Sequence, residues 1–184
     1  MAGKIPDEPP KSSSSVPDRL IEKPEQSFVW RAELFDFADV VKESLDNITK
    51  QNILSSVILP ETSFKFPTIS IKGHNRSFQP QWVTNSDSGF PFLGYSVKMD
   101  GVYCKPCFLF YHQGIGKGSH ENPGKLVTSP YRDWKKAREF FIYHRDTLYH
   151  KLCVVQASQF LDIMSNKAKD VASLLDAQRA KEIE

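Results

Sequence analysis

The pattern of apolar and polar positions in the middle of the chain is typical of a β-hairpin. From position 95 to 99 apolar and polar residues alternate, which is the period of a strand with one buried face. Asp100 and Gly101 then form a dipeptide typical of a type I′ turn, and the run 102–104 returns as the partner strand. The pattern therefore predicts a hairpin that ends at position 104, with 108–110 as a further short apolar strand.

A helical period appears between positions 131 and 145. Trp134, Ala137, Phe141 and His144 recur at spacings of three and four residues, so they lie on one face of an α-helix. His144 therefore points in the same direction as the apolar stripe, towards the hairpin. Hairpin and helix together predict a small α+β fold with flanking helices.

Residues 30–52 show a second amphipathic pattern. Five apolar residues recur there at helical spacing, namely Leu34, Phe37, Val41, Leu45 and Ile48. The pattern predicts a helix with one apolar face. Such a helix either binds a protein partner or dimerises, or else it packs on the finger or folds only weakly alone.

Two cysteines and two histidines fall within the predicted hairpin and helix. Cys104 and Cys107 are separated by two residues, and His144 and His150 follow after 36 intervening residues. Zinc prefers four sulfur or nitrogen donors in a tetrahedron, and a two-residue gap lets one turn of backbone direct both sulfurs at one ion. The spacing predicts a zinc site. The alternative is two structural thiols and two helix histidines that never meet.

The spacing of the two histidines requires a break in the helix. Six residues of ideal helix place His150 about 240° around the axis from His144, so the helix must be interrupted near 145–147 if both bind one ion. Thr147 can cap a new helix there. Cys153 and the imidazoles at 112 and 120 are alternative ligands, although a buried free thiol is the commoner outcome for a helical cysteine.

The remaining segments divide the chain. Residues 1–26 are rich in proline and serine with few large apolar side chains, which predicts a disordered tail. The segment 27–60 is expected to be helical, and 61–165 is expected to form the finger, with an aromatic auxiliary core from residues 78–93. A helical pattern without a cap over 166–184 predicts a C-terminal helix that starts a further, downstream region.

Composition limits the class of protein. The 184 residues carry a net charge of +2 and three cysteines, of which two form the close pair. An odd cysteine count argues against a secreted disulfide scaffold. The sequence shows no apolar run of membrane-spanning length and no signal-peptide pattern at its start. We expect a soluble, intracellular protein without a membrane partner.

Several short motifs together resemble a known family, the TTF-type zinc finger. This finger is found near the N-terminus of hAT-family transposases and of proteins derived from them, including zinc-finger MYM-type relatives. The similarity covers about residues 75 to 165. The motifs that carry it are the run Phe78-Gln79-Pro80-Gln81-Trp82, the run 103–110 around the cysteines, Trp134-Lys135-Lys136-Ala137, Phe141, His144 and His150.

The resemblance implies more than the spacing alone. In the family the module is taken to be a zinc-dependent nucleic-acid-binding domain related in logic to the ββα BED finger. By position, it implies Cys104, Cys107, His144 and His150 as zinc ligands, and it implies a nuclear location. The family's transposase chemistry belongs to a later acidic-triad domain, which this chain is too short to contain.

The charge distribution favours DNA as the partner of the finger. Residues 1–50 hold 7 Lys and Arg against 10 Asp and Glu, a balance of −3, whereas residues 98–155 hold 10 against 5, a balance of +5. A helix with one buried face and a cationic opposite face can lie in the major groove. The residues expected to contact phosphates are Lys135, Arg138 and Arg145 on one stripe, with Lys136 and Lys151 nearby. The alternative is a zinc-stabilised protein interaction module without DNA binding.

An enzyme is not expected. Thioredoxin-like redox chemistry requires its cysteine pair at a helix N-terminus after a strand, whereas Cys104 and Cys107 are expected at the end of a hairpin. The glycines between 114 and 124 form no phosphate-loop motif. No catalytic residue and no small-molecule substrate are therefore predicted.

Overall fold

The computed structural model describes residues 29–31, 35–85, 87, 89–112, 115 and 123–182, with side chains described except in 29–31 and 167–182. The predicted disordered tail over 1–26 and His120 lie outside the described residues. The described chain is mixed α+β, as expected. No helix within the described ranges has both the length and the apolar character that a membrane crossing requires.

The elements are short until the last helix. In chain order they are β1 (Val29–Arg31), two 3-10 helices (Phe37–Asp39 and Lys42–Ser44), α1 (Asn47–Ser55), β2 (Val57–Leu59), β3 (Ile69–Ile71), β4 (His74–Arg76), α2 (Gln81–Thr84), β5 (Leu93–Ser96), β6 (Gly101–Cys104), α3 (Lys105–Phe110), α4 (Ala137–Asp146) and α5 (Leu148–Glu182). The described strands form three two-stranded pairs: β1 and β2 are parallel, whereas β3–β4 and β5–β6 are antiparallel. Because α5 is continuous, it crosses the boundary predicted at 165.

The predicted hairpin is present as β5–β6, but its predicted two-residue turn is wrong. The register pairs Leu93 with Cys104 and Ser96 with Gly101, so Gly101 opens β6 and the connection spans 97–100. Gly101 instead makes room for Pro130, because a Cβ at position 101 would lie 2.6 Å from the Cβ of Pro130. Its absence lets the chain after Pro130 pair with the outer side of β6.

The strand predicted over 108–110 is also wrong, since these residues belong to α3. Cys104 is the N-cap residue of α3, and Pro106 lies in the first turn, where a missing backbone N–H and a fixed φ favour a helix. A short apolar run does not distinguish a buried strand from a buried helix. Phe108 and Leu109 are buried on this helix.

The helix predicted over 30–52 is wrong as well. That stretch contains the end of β1, the two 3-10 helices and the first six of the nine residues of α1. Aspartates cap the short elements, because Asp36 accepts a hydrogen bond from the Ala38 amide at 2.9 Å and Asp46 accepts one from the Thr49 amide at 2.8 Å. Such local side-chain bonds favour helix starts over a continuous helix.

Two clusters of buried side chains make up the core. The larger one surrounds the β5–β6 hairpin and contains the predicted aromatic auxiliary core, including Phe78, Phe90 and Leu93. The smaller one joins the segment 35–59 to the opposite side of β6 and α3. There Phe37 stacks on Tyr103 with ring centroids 4.9 Å apart. The segment 35–59 therefore packs on the hairpin and α3.

Two buried charged side chains tie that segment to the hairpin region. The Asp36 carboxylate accepts hydrogen bonds from the Ser96 hydroxyl at 2.5 Å and the Lys98 amide at 3.2 Å. The Lys105 ammonium donates to the carbonyls of Ser56 at 2.8 Å and Leu54 at 3.3 Å at the end of α1. Burial lowers the pKa of Lys105 to about 8.

Replacing Asp36 with alanine is expected to lower the free energy of unfolding by about 1 to 3 kcal/mol, because buried donors then lose their acceptor. Chemical denaturation measures this change. Asp39→Ala is the matched control, since it removes only the exposed pair with Lys98, and exposed ion pairs contribute little. Equal effects of the two substitutions would contradict the role given to Asp36.

Candidate metal centre

The two cysteines lie at the junction of a strand and a helix. Cys104 is the last residue of β6, and Cys107 lies in the first turns of α3. Backbone bonds fix the junction, because the amide of Cys104 donates to Leu126 and the amide of Lys105 donates to Phe92, both at 2.8 Å. The premise used against a redox pair is therefore wrong, since the cysteines do occupy a strand-to-helix position. The side chains around the two cysteines therefore have to distinguish a redox pair from a metal site.

The two histidines lie on either side of the predicted break. His144 is in the last turn of α4, and His150 is in the first turn of α5. Between them Thr147 has extended backbone, and its hydroxyl oxygen accepts a hydrogen bond from the His150 amide at 3.4 Å and donates to the His144 carbonyl at 2.7 Å. The interruption and the Thr147 cap are confirmed.

The start of α4 differs from the prediction. The helix begins at Ala137 rather than near 131, because Tyr131 exchanges backbone hydrogen bonds with Val102 of β6 at 2.9 and 3.1 Å. This short bridge extends the hairpin by one residue pair. Trp134 is buried ahead of the helix. The bridge fixes where α4 starts and so directs its buried face at the cysteines.

The structure brings the four predicted side chains into one buried cluster. Their donor atoms all lie within 4.8 Å of one another. His150 Nδ1 is 3.4 Å from each of the two sulfurs, His144 Nε2 is 3.5 Å from the sulfur of Cys107, and the two imidazole nitrogens are 3.1 Å apart. Cys104, Cys107, His144 and His150 can thus hold one metal ion.

The two histidines of the cluster are in the neutral form that can bind a cation. Burial, followed by the neighbouring His150, lowers the pKa of His144 to about 3, and burial and Arg145 lower the pKa of His150 to about 4. Both imidazoles are therefore neutral at ordinary pH, with lone pairs to donate. The hydrogen bond with Cys104 and burial raise the pKa of Cys107, whereas a reactive redox cysteine has a lowered pKa.

One residue of the site gave no signal in the sequence. The Tyr149 hydroxyl lies 3.0 Å from His144 Nδ1 in a buried contact, while the other ring nitrogen of His144 faces Cys107. Burial raises the pKa of Tyr149 to about 12, so the hydroxyl keeps its proton. An outer partner of this kind fixes the tautomer and orientation of a metal-binding histidine.

Two of the alternative ligands, Cys153 and His112, lie outside the four-residue cluster. Cys153 is fully buried next to Cys107, and the hydrogen bond between their thiols is the main cause that raises the pKa of Cys153. It is not among the donors within 4.8 Å of one another, and neither is His112, which is exposed. Cys153 therefore matches the buried free thiol expected of a helical cysteine.

The five predicted phosphate-binding residues are all exposed, and the predicted stripe of Lys135, Arg138 and Arg145 is only partly helical. Arg138 and Arg145 lie on α4, Lys136 is its N-cap residue and Lys135 precedes it; Lys151 lies on α5. Arg145 also pairs with Asp146 at 3.0 Å. Arg138 and Arg145, seven residues apart, therefore share one face of α4, whereas Lys135 lies outside the helix.

Comparisons of the chain with protein-family models, with curated proteins and with solved structures found no match. The resemblance named above therefore depends on the quoted residues alone. The function has to be argued from the chemistry and geometry of the site.

Removal of the Tyr149 hydroxyl is expected to weaken metal binding by about 10- to 100-fold while the fold persists, because His144 loses the partner that orients it. The variant is Tyr149→Phe, and the affinity is measured by cobalt(II) titration against a competing chelator. Tyr143→Phe on α4, which removes an exposed hydroxyl, serves as the control. An unchanged affinity in Tyr149→Phe would show that the contact does not support the metal.

Proposed function

We propose that this chain is a zinc-dependent nucleic-acid-binding module whose partner is DNA. The observation that carries the proposal is the buried cluster of Cys104, Cys107, His144 and His150, which joins the hairpin to α4 and α5. The exposed cations around α4 lie on the element that this cluster holds in place. The resemblance to the TTF-type finger of hAT-family transposases supports the same function and a nuclear location.

The donor distances support zinc as the metal. Zinc binds sulfur at about 2.3 Å and imidazole nitrogen at about 2.0 to 2.1 Å. In a regular tetrahedron those bonds separate the donors by about 3.3 to 3.8 Å. Four of the six donor separations, at 3.1 to 3.5 Å, lie close to that range, and all six are within 4.8 Å. Two sulfurs with two nitrogens are also a common donor set of structural zinc sites.

A complete donor set favours a structural role for the ion. Catalytic zinc sites keep one position for water or substrate, whereas structural sites have four protein ligands. All four side chains are buried, so solvent has little access to the ion. Bound zinc would supply cohesion between the hairpin and the helices. The proposal therefore includes no enzymatic activity and no small-molecule substrate.

Charge supports DNA as the partner. Ala137, Phe141 and His144 are buried on the inner face of α4, whereas Arg138 and Arg145 are exposed. Residues 98–155 carry an excess of five positive charges, from 10 Lys and Arg against 5 Asp and Glu. Lysine and arginine side chains neutralise phosphates and supply most sequence-independent affinity.

A second candidate is a zinc-stabilised protein interaction module. It is favoured by an exposed apolar stripe at the start of α5, where Leu148, Leu152 and Val155 are 60%, 37% and 52% exposed. The partner helix predicted over 30–52 gives less support, because Phe37 is buried in the second core. The salt dependence of the binding affinity distinguishes the two functions, since affinity for DNA falls steeply with salt and the affinity of an apolar contact does not.

Purified protein is expected to contain about one zinc ion per chain by elemental analysis. Cys107→Ser and His144→Ala should lose the ion together with the folded circular dichroism signal, because small zinc domains obtain much of their folding free energy from the metal. Cys153→Ser is the matched control and should retain the ion. Metal retained in both ligand variants, or lost only in the control, would contradict the assigned ligands.

The affinity for duplex DNA is expected to fall steeply with salt, with a log-log slope of about −0.9 for each phosphate contact. Substitution of Arg138 or Lys151 by glutamine should make the slope shallower by about one unit. Fluorescence anisotropy at several salt concentrations measures it. Lys42→Gln, which changes a lysine bonded to the Tyr111 carbonyl, is the control. Binding that does not depend on salt would favour the protein interaction module.

A further inference from the structure

The β3–β4 hairpin is a ribbon exposed along almost its whole length. It spans residues 69–76, and every one of them is exposed except Ile71, which is half-buried. Both residues of its turn have positive φ, 50° at Lys72 and 78° at Gly73, which matches the type I′ turn of tight two-residue hairpins. The ribbon is thus a regular hairpin with little packing of its own.

The ribbon lies in a stretch that carries no acidic residue. Between Glu61 and Asp87 the sequence contains Lys65, Lys72 and Arg76 but neither aspartate nor glutamate. The register places Ser70 opposite Asn75 on one face, where both present hydrogen-bonding groups. An exposed strand pair without carboxylates is complementary in charge to a polyanion.

The aromatic core anchors both ends of the ribbon. Phe66 precedes it and Phe78 follows it, and their rings lie 5.1 Å apart. Each also lies against Tyr95, at 4.9 and 4.8 Å. Phe78 further contacts Trp134 at 5.7 Å, immediately before the lysine pair that leads into α4. The ribbon and α4 therefore extend from one aromatic cluster.

We propose that the β3–β4 ribbon is a second DNA-contacting element, which enters the major groove while α4 holds the backbone. A two-stranded ribbon fits the major groove of regular duplex DNA, which is about 12 Å wide, whereas the undeformed minor groove is only about 6 Å wide. Lys72 at the tip and Arg76, at the end of β4 on the face opposite Asn75, contact phosphates, and the face of Ser70 and Asn75 meets base edges, whose hydrogen-bonding pattern such side chains recognise.

The inference rests on the proposed function, and the test separates the two. Binding of a random-sequence 30-base-pair duplex is measured over a salt series for the unsubstituted chain, Lys72→Gln, Arg76→Gln and Lys50→Gln, the last removing one positive charge from α1 as the control. Each ribbon variant is expected to bind about 3- to 10-fold more weakly with a slope shallower by about 0.9. Lys50→Gln should match the unsubstituted chain. Zinc content should be unchanged in all three variants, because the ribbon is exposed.

The groove is tested separately with ligands that occupy it. Methyl green, which fills the major groove, is expected to compete with the protein, and netropsin, which fills the minor groove, is not. If the unsubstituted chain does not bind the duplex, the proposed function and the ribbon contact both fail. If it binds but the ribbon variants equal Lys50→Gln, or only netropsin competes, the ribbon contact alone is overturned.

Discussion

The meeting of four buried donor atoms from two distant parts of the chain is the constraint on which the rest of the structure depends. One part is the strand-to-helix junction at Cys104 and Cys107, and the other is the helix break between His144 and His150. The polar contacts described between these parts are those of the four donor side chains. Two neutral imidazoles and two thiols in this space gain little from one another, and a shared cation converts the same arrangement into a strong attraction. The break at Thr147 permits this geometry, because a continuous helix would direct His150 away.

Two sets of contacts around the candidate metal centre hold its helices and strands in place. The aromatic cluster around Phe78, Tyr95, Trp134 and Phe141 holds α4 against the hairpin, so the inner face of α4 stays on the cysteines while its outer face stays exposed. On the other side of the hairpin, Asp36 and the second core attach the N-terminal segment. A small domain buries little apolar surface of its own, and these attachments enlarge the core.

The sequence predicted the site better than the elements around it. Ligand spacing in the Cys104–Cys107 pair is a short-range property, and the need for a break before His150 follows from helix geometry alone, so both could be inferred. The structure of segment 30–52 could not, because its apolar period is equally compatible with a helix and with short capped turns in which Phe37 is buried while Val41 and Ile48 stay exposed. The Tyr149 contact was also inaccessible, since it depends on how α5 leaves the break.

X-ray absorption spectroscopy at the zinc edge tests the central claim most directly, because it reports the atoms bound to the metal in the folded protein. The account predicts two sulfur scatterers at about 2.3 Å and two nitrogen scatterers at about 2.0 to 2.1 Å, with the outer-shell pattern of two imidazole rings. A spectrum of oxygen and nitrogen scatterers without sulfur, or of three or four sulfurs that include Cys153, would contradict the Cys2His2 centre.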